Sequence, residues 1–252
     1  MPRFFVRSEQ IENGVVTILG DDAHHISRSL RMAAGEKITV CDMQKNEYDC
    51  TLSEFLSDRV LSLVAAQRKC DTEPPFFAHL YQALPKGDKL DTVIQKSVEC
   101  GVGAITTFMS ERCIVREKGD EENKLRRRNK IALEAAKQSG RGIIPEVLPT
   151  LSFDKMLTQA AEADIKLFCY EGDGTRSMKE VLAEEKAKFD AKGGDALPRI
   201  SIVIGSEGGF SLAEVERAKE AGFVPVGLGK RILRTETAPL FALSCLSYEL
   251  EL

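Results

Sequence analysis

From Phe76 onward, short apolar runs alternate with stretches of helical periodicity, and this alternation constrains the fold more than any other feature. Strands are expected at 76–84, 104–109, 165–170, 200–205 and 223–228. They are mostly apolar, as befits strands covered on both faces of a parallel sheet. Between them, residues 86–101 put Leu90, Val93, Ile94, Ser97 and Val98 on one helical face. A long charged helix is expected from about 120 to 139, and Ser152 is placed to open another. The C-terminal part therefore reads as an α/β layer around a mostly parallel sheet.

Residues 1–70 have a different rhythm. Segments 3–7, 15–19, 36–42, 47–52 and 60–66 read as short strands, with Gln44, Lys45 and Asn46 forming a hairpin turn. A helix capped by Asp21 or Asp22 is expected to run through Arg31, with Gly35 after it. Pro74 and Pro75 bar regular structure, which predicts a small β-rich domain at 1–70 and an α/β domain at 76–252. An exposed loop is expected at 192–195. The last helix, 237–250, carries Leu240, Phe241, Leu243, Leu246, Tyr248 and Leu250 on more than one face, so its own domain or a second subunit must cover it.

Composition excludes several functions. With 35 basic against 39 acidic side chains and a net charge of -4, nucleic acid has to be met by local patches. None of the seven cysteines forms a C-x-x-C pair and only three histidines are present, so no metal site is expected and the thiols read as small buried hydrophobes. No apolar run approaches the ~20 residues of a membrane span, and no secretory leader is visible, which points to the cytoplasm.

In an open parallel sheet, ligands sit beyond the carboxyl ends of the strands. Three such loops stand out: EGDGTR at 171–176, IGSEGGFS at 204–211 and LGKRILRTET at 228–237. In the second, Gly205, Gly208 and Gly209 suit either plain turn geometry or close approach of backbone to a ligand, and Ser211 with Glu214 makes a capping box. The spacing is neither a P-loop nor a dinucleotide fingerprint. In the third, Lys230, Arg231 and Arg234 cluster beside Thr235, Glu236 and Thr237, as a solvated turn or as a site for an anion such as RNA phosphate. Residues 112–141 hold ten basic against five acidic side chains, a solvated helix face or an RNA-facing patch.

IGSEGGFS and, after it, LGKRILRTETA resemble the paired signature of the SPOUT-class RNA methyltransferases, and specifically of the bacterial RsmE family, which methylates N3 of a uridine in 16S ribosomal RNA. QALPKGDKLDTVIQKSVECGV, SERCIVR and KIALEAAKQSGRGIIPEV resemble further family segments. MPRFF with DDAHHISRSLRMAAGE resembles the family's PUA-like RNA-binding module. The resemblance implies a trefoil-knotted SPOUT domain after a PUA-like domain, S-adenosyl-L-methionine as cofactor, and a homodimer with its active sites at the interface. It also implies 16S ribosomal RNA, within the small ribosomal subunit, as partner and U1498 as target. Ser206 and Pro239 depart from the family's usual proline and alanine, and cofactor binding is expected to survive both.

The same resemblance assigns cofactor contacts to Glu171, Gly172, Ile204, Gly205, Ser206, Glu207, Gly208, Gly209, Leu228, Gly229, Ile232, Leu233 and Thr237. Uracil N3 is a poor nucleophile until its proton leaves. Arg234 is therefore expected to stabilise charge on the uracil oxygens, with Glu207 or Glu236 as base, or with the arginine sufficing alone. Glu236 has the simpler option of bridging Arg234. RNA contacts fall to Arg3, Arg7, Arg28, Arg31, Lys86, Lys89, Gln138, Ser139, Arg141, Lys230 and Arg231. Two other functions fit the same residues: a SPOUT enzyme with another target, such as a ribose 2'-hydroxyl, and a non-catalytic RNA-binding protein of ribosome assembly.

Overall fold

A computed structural model describes residues 1–115, 119–193 and 196–252. By its contacts the chain divides into two units, Met1–Glu73 with Ala136–Ile144 and Pro74–Ala135 with Pro145–Leu252.

The first unit is built on β1 (Arg3–Phe5), β2 (Ile11–Glu12), β3 (Val15–Leu19), the short helix α1 (Gly20–His24), β4 (Lys37–Cys41), β5 (Asn46–Phe55) and β6 (Arg59–Lys69). They form one sheet in the order β1-β4-β5-β6-β3-β2, antiparallel except where β1 pairs with β4. Alternation drives it: Val16 and Ile18 face a core with Phe4, Ile26, Ile38, Val40, Leu52 and Val60, while Val15 and Thr17 face outward. The turn expected at 44–46 is fixed by Asp42, whose carboxylate accepts from the Gln44 and Asn46 amides at 2.8 and 3.2 Å. The helix departs from expectation. Leu19 is its N-cap, and Asp21 and Asp22 lie in its first turn, where negative charge suits the positive end of the helix. It widens into a π turn at His25–Ser29 and is finished by Arg31, whose φ of +53° cannot continue it.

The second unit runs β7 (Phe77–Ala83), α2 (Lys89–Glu99), β8 (Ala104–Met109), α3 (Glu121–Ser139), β9 (Glu146–Ser152), α4 (Phe153–Ala160), β10 (Ile165–Cys169), β11 (Arg176–Ser177), α5 (Met178–Lys192), β12 (Arg199–Ile204), α6 (Leu212–Glu220), β13 (Val224–Gly227) and α7 (Ala238–Leu250). All seven strands are parallel, in the order β11-β13-β10-β12-β7-β8-β9. Ser152 caps α4 as expected, accepting from the Lys155 amide. β9 escapes a sequence reading because Pro149 interrupts it; a proline is tolerated there because β9 is an edge strand. Phe108, Phe153, Phe168, Phe210 and Phe223 pack in one cluster with Tyr81, Met156 and Val203. Lys192 ends α5, and Gly194 and Asp195 of the expected loop lie outside the described residues. In α7, Ala242, Leu243 and Leu246 are buried while Phe241 and Tyr248 stay exposed. Pro239 falls in its first turn, where a missing N–H costs no helical bond. Among the described residues, no helix is long and apolar enough to cross a membrane.

Candidate active site

The order β13-β10-β12 with all strands parallel brings the three strand-end loops, 171–176, 204–211 and 228–237, to one edge of the sheet. Each leaves the end of a strand, so their backbones start from fixed positions. They enclose a cleft of about 770 Å³, within the range of small-molecule sites.

The loop after β12 is anchored at both ends. Phe210 packs into the aromatic cluster, its ring centroid 4.2 Å from that of Phe168 and tilted to it by 39°. The predicted capping box is present: Ser211 Oγ accepts from the Glu214 amide at 3.2 Å, and Glu214 Oε2 accepts from the Ser211 amide at 2.9 Å. The buried Glu214 also accepts from the Glu111 amide at 2.8 Å, which ties in the chain after β8. Two glycines are required here. Gly209 has φ +63°, and a Cβ on Gly208 would stand 2.9 Å from the Arg112 carbonyl oxygen. Gly208 thus serves packing of backbone on backbone, the turn-geometry reading of that residue.

The loop after β13 differs. Among the described residues, no hydrogen bond occupies the backbone groups of residues 228–233, so a run of donors and acceptors borders the cleft unspent. The run stops at Arg234, whose carbonyl accepts from the Thr237 and Ala238 amides at 2.8 and 3.0 Å and starts α7.

The charged groups form a chain. Lys89 Nζ lies 2.8 Å from Glu207 Oε1 and 3.6 Å from Glu236 Oε2, and Arg234 Nη1 lies 4.0 Å from Glu236 Oε1. Burial alone would push the Glu207 carboxyl up, but the Lys89 ammonium and the Lys86 amide outweigh it and hold it below the usual range. Glu236 Oε2 is buried and accepts no hydrogen bond. The Arg234 side chain is 82% exposed. The bridge to Glu236 foreseen for Arg234 is therefore long, and Lys89 is the nearer cation.

Of the expected cofactor contacts, Glu171, Ile204, Gly205, Ser206, Glu207, Gly208, Gly209, Leu228, Gly229, Ile232 and Leu233 line the cleft. Gly172 and Thr237 do not; Gly172 packs under the Tyr170 ring and Thr237 precedes α7. Arg234 lines it and Glu236 does not. Lys230 and Arg231 line it and are exposed. Lys86 is exposed, but Lys89 is engaged by Glu207.

Two of the expected RNA contacts, Arg3 and Arg141, are engaged by partners within the first unit. Arg3 donates to Glu47 at 2.5 Å, to Cys41 Sγ at 2.9 Å and to the Arg141 carbonyl at 3.1 Å. Arg141 makes a two-pronged pair with Glu73 at 2.7 and 2.9 Å, and both side chains are buried. Both guanidinium groups therefore have donors committed within the unit, and the Arg141 side chain is buried. Arg7, Arg28, Arg31 and Gln138 are exposed or half-exposed, and Ser139 is half-buried. The basic stretch at 112–141 does not act as one face: Arg112 donates to the Gly208 carbonyl, Arg127 pairs with Asp91, and Lys137 pairs with Asp22. Arg116, Glu117 and Lys118 of that stretch lie outside the described residues.

Arg112, Tyr170 and Leu212 in the lining, and the buried Gln82 behind it, were given no site role by the sequence, whereas Thr175 belongs to the 171–176 loop it singled out. Gln82 had a signal, an amide inside a largely apolar strand, and Arg112 opens the basic stretch at 112–141; Tyr170 and Leu212 had none. Among the described residues, no group of three or more His, Cys, Asp or Glu is placed to hold a metal ion.

Residues 72–247 match the model of an RNA methyltransferase domain, and residues 18–55 that of an RNA methyltransferase PUA domain. The chain is 38% identical over 256 residues to ribosomal RNA small subunit methyltransferase E of Bacillus subtilis, covering 100% of this chain and 98% of the relative. It resembles the crystal structure of ribosomal RNA small subunit methyltransferase E from Neisseria gonorrhoeae bound to S-adenosyl methionine, with TM-score 0.81, 32% identity and 98% and 97% of the two chains covered. A putative methyltransferase from Legionella pneumophila, also in complex with that cofactor, matches with TM-score 0.81 at 29% identity over 98% and 96% of the chains.

Proposed function

The chain belongs to the RNA methyltransferase family that includes ribosomal RNA small subunit methyltransferase E, and from this premise we propose that it methylates N3 of a uridine, U1498, in 16S ribosomal RNA with S-adenosylmethionine. The observation that carries the reading is the cleft between the three strand-end loops, with its unspent backbone at 228–233. That backbone fits a flat heterocycle with donors and acceptors on its edge, and apolar Ile204, Leu228 and Leu233 border it. Glu171 at the rim suits hydroxyl or ammonium groups. When bound, the cofactor supplies an electrophilic methyl group on a sulfonium sulfur.

The protein's own residues then have three tasks. The loops hold the reactants in line, which in well-oriented systems lowers the barrier by roughly 7 to 11 kcal/mol. Glu236, whose side chain is 20% exposed and turns Oε1 toward Arg234 while Oε2 is buried, takes the N3 proton on Oε1; Glu207 is already spent on Lys89. Arg234, extended from the cleft wall, meets the negative charge that the departing proton leaves on the uracil oxygens. Arg7, Arg28, Arg31, Lys86, Gln138, Ser139, Lys230 and Arg231 serve RNA binding. The PUA-like domain at 1–70, the SPOUT domain at 76–252 with its knotted C-terminal part, a homodimer covering Phe241 and Tyr248 of α7, and action in the cytoplasm on the small ribosomal subunit complete the reading.

Single-turnover kinetics with saturating enzyme, alongside calorimetry of S-adenosylmethionine, test it. Arg234→Ala is expected to lower the rate by roughly 10² to 10³-fold and Glu236→Gln by about 10² to 10⁴-fold, with cofactor affinity little changed. Glu207→Gln is expected to cost less than Glu236→Gln, and the reverse order would reassign the base. A near wild-type rate for Arg234→Ala with weaker RNA binding would make the arginine a positioning residue.

A further inference from the structure

Gln82 is fully buried near the end of β7, where an amide without partners would be costly. Its Nε2 lies 3.0 Å from Thr235 Oγ1, 3.0 Å from the Ala83 carbonyl and 3.4 Å from the Gly205 carbonyl. Carbonyl oxygens only accept, so the amide must turn its NH2 group this way. Thr235 Oγ1 accepts from Gln82 and donates to the Gly205 carbonyl at 2.7 Å. Three segments far apart in sequence thus meet at one hydroxyl: β7, the loop after β12, and the segment after β13. Gln82 Oε1 is left with no hydrogen-bond partner, so the amide stands here at the cost of a buried, unspent acceptor.

The consequence reaches the cleft. Two donors pin the Gly205 carbonyl toward Thr235, and a trans peptide turns the N–H of Ser206 in the opposite sense. Thr235 stands between Arg234 and Glu236 in sequence, so the same hydroxyl sets the backbone from which both side chains depart.

We propose that Gln82 is a positioning residue which, through Thr235, holds the Gly205 loop in register with Arg234 and Glu236. The inference rests on the methyl-transfer reading for what those groups do, and on geometry alone for the coupling.

The test compares Gln82→Leu, Thr235→Val and Thr235→Ser in the full-length protein. Hydrogen exchange without any ligand should show faster exchange at 205–211 and 234–238 for Gln82→Leu and Thr235→Val, with Thr235→Ser like wild type. In single turnover, the first two should lose roughly 10- to 100-fold in rate, the scale of a misplacement of about 1 Å, while the KM for RNA changes less than about threefold. The double variant should be no worse than the poorer single one, since both act through one connection. Wild-type exchange and rate in folded variants, additive losses, or Thr235→Ser as impaired as Thr235→Val would each overturn the proposal. Should Gln82→Leu fail to fold, the two threonine variants decide alone. If the wild-type protein transfers no methyl group, the functional reading fails, and exchange in the two loops still decides the coupling.

Discussion

Lys89 Nζ sits 2.8 Å from Glu207 Oε1, joining the first turn of α2 to the glycine loop after β12. The carboxyl is raised by burial but lowered further by this lysine and by the Lys86 amide, with a net pKa below the ordinary 4.5. Lys89→Met should therefore move the Glu207 carboxyl upward in an NMR titration. A depressed carboxyl lends stability above its unfolded pKa and loses it as pH falls through its folded one. Wild type should accordingly lose this contribution below about pH 4.5, and the variant should have less to lose. An unmoved Glu207 titration would mean that the lysine does not set its charge.

Gly208 tests the cleft through packing. Its added Cβ would stand 2.9 Å from the Cβ and from the backbone carbonyl oxygen of Arg112, so one of the two segments must shift. Gly208→Ala should displace the loop and weaken S-adenosylmethionine at least about tenfold in calorimetry, a loss of about 1.4 kcal/mol. Full affinity in the folded variant would remove this loop from the cofactor site.

The Arg141–Glu73 pair should report stability first. Removing one partner of a buried pair strands the other charge, at about 3 to 5 kcal/mol. Arg141→Ala should show that loss in denaturant unfolding. Exposed Arg28→Ala and Arg31→Ala should leave stability unchanged and each reduce the salt dependence of RNA binding. A stable Arg141→Ala with weakened RNA binding would restore that arginine to the RNA surface.

His79 gives the second unit an acid sensitivity. Burial, then the Arg199 charge, push its pKa down to about 4 from 6.5, and the neutral ring is held between Thr106 Oγ1 at 2.8 Å and the Tyr81 hydroxyl at 3.2 Å. Between pH 6.5 and about 4 the unfolded chain binds the proton and the folded one does not, so stability falls on acidification, by about 3 kcal/mol in all. Urea unfolding across this range should show the slope in wild type and its loss in His79→Gln. Equal slopes would place the sensitivity elsewhere.

Much of the fold and the cleft is legible in the chain because local rules and the fold agree. Alternating burial in β3, the Ser152 cap and the Ser211–Glu214 box are set by neighbouring residues, and so can be read directly. The three loops stand out because a parallel sheet fixes where strand ends lie. What escapes a sequence reading is non-local. Nothing near Arg3 or Arg141 announces Glu47 or Glu73 as its partner, and nothing near Gln82 announces a hydroxyl 153 positions away. β9 is hidden by Pro149, whose tolerance depends on an edge position that only the strand order reveals.

Mapping the methylated product tests the proposed reaction. Small ribosomal subunits and naked 16S ribosomal RNA, each from cells lacking this activity, would be incubated with the protein and isotopically labelled S-adenosylmethionine, then digested to nucleosides and analysed by mass spectrometry. One labelled methyl group per RNA, on N3 of the uracil of U1498, is the expected result. A label on a ribose 2'-hydroxyl or another base would contradict the assigned target, and no label on either substrate, from a protein that binds the cofactor, would contradict the proposed reaction.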